Sequence, residues 1–184
     1  MRTLLFALLV FCNFSVNAQE KKGHVSYNKL VEVSGTDYVI ASFDNYHKKG
    51  IVGRHILFIN TRTGFSRQVD LGERQYLQSI EQIKIDSIGV NRIVVVVGIY
   101  RSENEKDLVI DSWRRILVFS PDGSETLGSE GTIHFANHWL TNNQTGSLVI
   151  TGYTDSDGDG RHDQTDKNEI LVYDLKNMKI ISKI

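Results

Sequence analysis

The chain has 184 residues, with 21 Lys and Arg against 22 Asp and Glu and a formal net charge of −1 at pH 7. That balance gives no electrostatic case for binding nucleic acid or an anionic membrane surface. A single cysteine, Cys12, excludes an intrachain disulfide.

Residues 1–18 read as a secretory signal peptide. Arg2 supplies the positive start, residues 4–11 the apolar stretch, and Val16, Asn17 and Ala18 a small-residue cleavage site before Gln19. The apolar run is shorter than the roughly 20 residues that span a bilayer, and no later segment is long and apolar enough. Phe11 is too bulky for the small residue that a lipoprotein signal places before its cysteine. Cleavage after Ala18 removes Cys12 and leaves residues 19–184 as a single cysteine-free domain, secreted or periplasmic. Such a domain depends on its core, or on a metal, rather than on cross-links.

Three units then follow one pattern. Residues 38–43 and 56–64 form the centre of the first, 93–100 and 116–123 that of the second, 148–153 and 170–177 that of the third. All are rich in β-branched and aromatic residues. A further strand precedes each centre, at 25–33, 80–85 and 133–140. Another follows, at 65–71, 125–127 and 178–181. The expectation is an all-β fold of three four-stranded antiparallel repeats, about 24–72, 76–128 and 132–184. Asn, Asp and Gly stand at the tips of the last hairpins, as tight turns require. The unbroken apolar runs 94–97 and 56–59 imply strands covered on both faces. Polar connections at 44–54 and 101–114, and an acidic loop in the third unit, are expected as loops on one face.

That loop carries the readable chemistry. Residues 155–166 place Asp155, Asp157, Asp159, Asp163 and Asp166 at positions one, three, five, nine and twelve, with Gly160 at six. This is the ligand spacing of an EF-hand-type calcium loop. Carboxylates crowded at about 4 Å repel by on the order of 1 kcal/mol per pair even in water, and Ca2+ removes that repulsion. Asp155, Asp157 and Asp159 would each give a side-chain oxygen, Arg161 its backbone carbonyl, Asp163 an oxygen directly or through water. Asp166 replaces the usual bidentate glutamate, and His162 the usual aliphatic residue at position eight. An unpaired loop of this kind should bind in the roughly 10⁻⁴–10⁻³ M range. Strands flank it, so the ion would pin a connection and would not swing helices. The competing reading is a solvated acidic turn, since Asp and Gly are turn formers. The Asp-x-Asp-x-Asp-Gly core resembles the calcium loops of dockerins and thrombospondin type 3 repeats.

The string from Ile170, Leu171, Val172, Tyr173, Asp174, Leu175 to Lys176, Asn177, Met178 and Lys179 resembles the third and fourth strands of a β-propeller blade. Secreted bacterial proteins with WD-like or TolB-like blades carry such strings. The resemblance implies a propeller-blade-like, calcium-binding repeat protein. No WD dipeptide is present, and three units are fewer than the about four to eight blades of an ordinary propeller. Two chains would then form a homodimeric six-bladed ring, or the units an open array. A β-trefoil or another open β-repeat array is the alternative fold.

Signatures of catalysis are missing: no G-x-S-x-G elbow, P-loop or H-E-x-x-H. His134 and His138 have zinc spacing for a helix, but on a strand they stand about 13 Å apart. Asp111, Trp113, Arg114 and Arg115 form a charged stretch that reads as a recognition surface or as a solvated loop with one Trp folded inward. Residues 47–49 and 103–107 read as exposed tips. The expected function is an exported, non-catalytic module that binds Ca2+ and a protein or glycan ligand. The alternative is a propeller-type hydrolase or lyase with calcium near a substrate cleft, drawing its acid and base from Asp44, Glu103, Asp107 or Asp111.

Overall fold

The computed structural model describes residues 24–47, 50–72, 75–104, 107–127, 135–157 and 163–184, with side chains for all of these except 46, 47, 50–52, 100–104 and 107–113. The expected leader, residues 1–18, lies outside the described residues. So do His134 and, within the acidic loop, Asp159, Gly160, Arg161 and His162.

Among the described residues the chain forms twelve strands, one short 3₁₀ turn and no α-helix. β1 (His24–Glu32), β2 (Tyr38–His47), β3 (Gly50–Asn60) and β4 (Ser66–Asp70) make a four-stranded sheet in chain order. β5 (Gln75–Ile85), β6 (Val90–Asn104), β7 (Asp107–Phe119) and β8 (Thr126–Leu127) pair successively in the same way. β9 (Phe135–Asn142), β10 (Ser147–Thr154), β11 (Lys167–Asp174) and β12 (Lys179–Lys183) do likewise. One antiparallel residue pair, Arg114 opposite Ala136, joins β7 to β9 and merges the last eight strands into one sheet. All pairings are antiparallel. The described strands close into neither a barrel nor a ring. No described helix is long and apolar enough to cross a membrane.

The period-two alternation of β6 organises the core, because successive side chains of a strand point to opposite faces. Val94 and Val96, with Ile116 and Val118 of β7, pack against Leu148, Ile150, Leu171 and Tyr173. Ile93, Val95 and Val97, with Leu117 and Phe119, pack against Ile40, Ile56 and Phe58 of the first sheet. The β5–β7 layer is thus covered on both faces, as its apolar run implies. The run 56–59 is not: Ile56 and Phe58 are buried, but Leu57 and Ile59 on the other face are only half-buried. Each fully buried side chain of this kind is worth about 1.5–3 kcal/mol.

Polar clasps fix the layers. Gln82 bonds both the N–H and the C=O of Ser34, at 2.9 and 3.0 Å, tying β5 to the first sheet. Arg92 donates to the carbonyls of Leu175 and Lys176, both at 2.6 Å, tying β6 to the turn after β11. Gly146 has φ +70, and a Cβ there would meet Ile88 and Val90 at 2.8 and 2.9 Å. Only glycine permits both that backbone conformation and that approach.

Two of the three expected loops are corrected. The described residues of 44–54 and 101–114 are strand: β2 and β3 pair out to His47 and Gly50, and β6 and β7 out to Asn104 and Asp107. Their polar residues sit in register across long hairpins, and a polar residue on an exposed or paired edge does not end a ladder. The third connection does leave the ladder. β10 ends at Thr154 and β11 begins at Lys167, so residues 155–166 form the gap.

Candidate metal centre

The acidic loop leaves a well-paired hairpin. Thr154 stands opposite Lys167, and Thr154 Oγ1 donates to Glu169 at 2.7 Å. From this rim the chain returns on itself so that Asp155, Asp157 and Asp166 each bring a carboxylate oxygen within 4.8 Å of the others. Oxygens bound to one Ca2+ at about 2.3–2.6 Å lie at most about 5 Å apart, so three ligands fit one ion on this spacing. Asp166 also accepts the N–H groups of Ser156 and Asp163, both at 3.0 Å. It therefore links the start of the loop to its end. These bonds hold the position-twelve carboxylate across the loop although aspartate is one methylene shorter than glutamate.

Asp163 does not join the three. Its Oδ1 accepts the N–H and the hydroxyl of Thr165, both at 2.7 Å. The same hydroxyl lies 3.3 Å from Asp157 Oδ2. Asp163 thus also serves the local turn, and Thr165 places it beside the group. Asp159 and Arg161 lie outside the described residues. The donor set is all oxygen, which suits a hard cation.

His138 lies on strand β9 with its side chain exposed. The strand reading of this segment holds. Trp139 is half-buried against the core, with Arg114 5.8 Å from its ring centre. The side chains of Asp111, Trp113, Glu103 and Asp107 lie outside those described.

A second polar site was not anticipated. A cavity of about 370 Å3 lies between the first sheet and β5, lined by Lys29, Ser42, Asp44, Arg54, Tyr76 and Leu77 among others. Asp44 and Arg54 are cross-strand neighbours in β2 and β3, paired at 3.3 Å with side chains only 14% and 11% exposed. Arg54 also donates to the backbone carbonyl of Gln75 at the start of β5. Among the described residues the Asp44 carboxylate accepts no hydrogen bond beyond this ion pair. Ser42 Oγ and Gln75 Oε1 are buried side-chain oxygens with no hydrogen-bond partner. Beneath the pair, His55 is fixed by Asn45 at 2.9 Å and Gln68 at 3.2 Å and stacks on Phe43 with ring centres 5.0 Å apart. The opposition of Asp44 and Arg54 depends on a register shift between Asn45 and Tyr46, which the residue spacing does not announce.

Comparison with protein-family models, curated proteins and solved structures finds no match for the chain.

Proposed function

We propose that this chain is an exported, non-catalytic β-repeat module that binds Ca2+ at the β10–β11 loop and presents its surfaces to a protein or glycan ligand. The observation that carries the metal half is the convergence of Asp155, Asp157 and Asp166 within 4.8 Å, inside a segment with the EF-hand ligand spacing. The ion joins the two ends of a connection that leaves the sheet, so its role is to order that connection. Export rests on residues 1–18. A calorimetric calcium titration of residues 19–184 tests the reading. Saturable binding at one site, weakened by Asp157→Ala, is the expected result. No heat beyond dilution in millimolar Ca2+ sinks it.

The blade reading extends to assembly. Three successive four-stranded meanders, stacked through two apolar interfaces, are what a run of blades would give. The open sheets speak for blades over a trefoil. Each of the two end faces carries an apolar row. Leu30, 71% exposed, continues the row of Ala41 and Leu57 on the outer side of the first sheet. Leu140, 71% exposed, continues the row of Val149 and Val172 on the outer side of the third meander. Packing the first of these faces on the second of another copy, twice, closes a homodimeric ring with no new kind of contact. Sedimentation of residues 19–184 gives a dimer under this reading, and a strict monomer at high concentration rules it out.

A further inference from the structure

We infer that the cavity between the first sheet and β5 is a binding site for a neutral, polyhydroxylated ligand of saccharide type. This deepens the binding-module reading by naming the ligand class and the place, and it is independent of the calcium loop. The volume, about 370 Å3, falls in the roughly 300–1,000 Å3 range of small-molecule sites.

Its chemistry selects the class. Asp44 is nearly buried, and an ionised carboxylate offers about four acceptor positions. One oxygen faces Arg54 at 3.3 Å, and among the described residues no donor serves the rest. Buried polar groups in native folds almost always have partners, so an underserved carboxylate on a cavity wall calls for a ligand that donates. Ser42, 3% exposed, adds a hydroxyl with no partner on the same wall. A side-chain rotation turns such a hydroxyl to donate or accept.

Charge excludes the other donors. A cationic amine would meet Arg54 and Lys29, and an anion would meet Asp44. A neutral ligand with several hydroxyls meets neither penalty. Leu71 and Leu77 supply apolar wall for the C–H face of a sugar ring.

The test is calorimetry and thermal shift on residues 19–184 with glucose, galactose, mannose, N-acetylglucosamine and their common disaccharides, alongside glucuronic acid and glucosamine. Each is run in Ca2+ and again in chelator. The expected result is saturable binding of at least one neutral sugar that persists in chelator. Asn28→Trp is placed at an exposed position on the cavity rim, where it leaves the core untouched; it abolishes the binding. Asp44→Asn weakens it at least tenfold. Ser42→Ala weakens it while leaving the melting temperature of the free protein unchanged or higher, since it removes an unpaired buried hydroxyl. A serine with only a structural role would instead lower that temperature. Three outcomes overturn the inference: no sugar binds, only the acid or the amine binds, or binding survives Asn28→Trp. Loss of calcium binding with sugar binding retained would sink the metal reading alone.

Discussion

The connection between β2 and β3 and the one between β10 and β11 hold the same place in their meanders, yet they treat carboxylates in opposite ways. In the first, Asp44 faces Arg54 across the ladder, opposite charges match in register, and the strands pair on to His47 and Gly50. In the second, residues 155–166 leave the ladder, and three carboxylates gather on one another instead. A fixed internal cation lets a hairpin lengthen. A cluster of like charges is relieved by a bound cation. The same topology therefore yields an ion pair in one meander and a group of carboxylates that could hold a metal ion in the other.

The sharpest way to break this comparison is to remove the internal cation. Arg54→Ala strands Asp44 in a nearly buried position, and truncating one partner of a buried pair costs about 3–5 kcal/mol. Urea denaturation should show that loss, and the double variant Asp44→Leu with Arg54→Leu should recover most of it. A single variant as stable as the parent would show that the pair is solvated and that the two connections do not differ as described.

Removing the external cation should have a smaller effect. With a dissociation constant of roughly 10⁻⁴–10⁻³ M, 10 mM Ca2+ stabilises the fold by about 1.4–2.7 kcal/mol through mass action. Differential scanning calorimetry with and without chelator reads this as a shift in melting temperature. Asp157→Ala should abolish the shift and leave the chelated protein's melting unchanged, because Asp157 is exposed. Asp166→Ala should lower even the chelated melting temperature, because Asp166 also accepts two backbone N–H groups. Equal behaviour of the two variants would show that the loop is not cinched through Asp166.

The smallest effect concerns carboxylates that are served by their own turns. The Asn177 side chain and the N–H groups of Asn177 and Lys176 hold Asp174 below the usual carboxylate range. For Asp122, burial pushes the carboxyl up, but hydrogen bonds from Ser120 and Ser124 outweigh it and leave it lowered. The hydrogen bonds from Arg62 lower Asp37, an exposed group. A carboxyl titrating lower in the folded state adds stability that is full above the ordinary value of about 3.9 and is lost as pH falls through the lowered one. Melting in chelator should therefore hold steady down to about pH 4 and decline below it. Asp174→Asn should flatten that decline slightly, and a steep fall already near neutral pH would contradict the assignment.

Much of this was legible in the residues themselves. The valines of β6 announced a doubly covered strand, and alternation is enough to send Val94 and Val96 one way and Val95 and Val97 the other. The spacing of Asp155, Asp157 and Asp166 announced a convergent group. The length of the hairpins was not legible, because residues 44–54 and 101–114 look like loops when polarity is read without register. Their pairing partners lie across the turn, and a cross-strand pair becomes visible only once the tip is located. Local geometry adds what spacing does not show: Thr165 also bonds an oxygen of Asp163.

Strand identity, meander order and the acidic segment follow from local composition and periodicity, which act over a few residues, so the amino-acid string alone determined them. The cavity beside Asp44 and Arg54, the single pair joining β7 to β9, and the choice of which sheet faces stay open arise from how distant layers stack. Those contacts link residues far apart in the chain, and only the folded arrangement decides them.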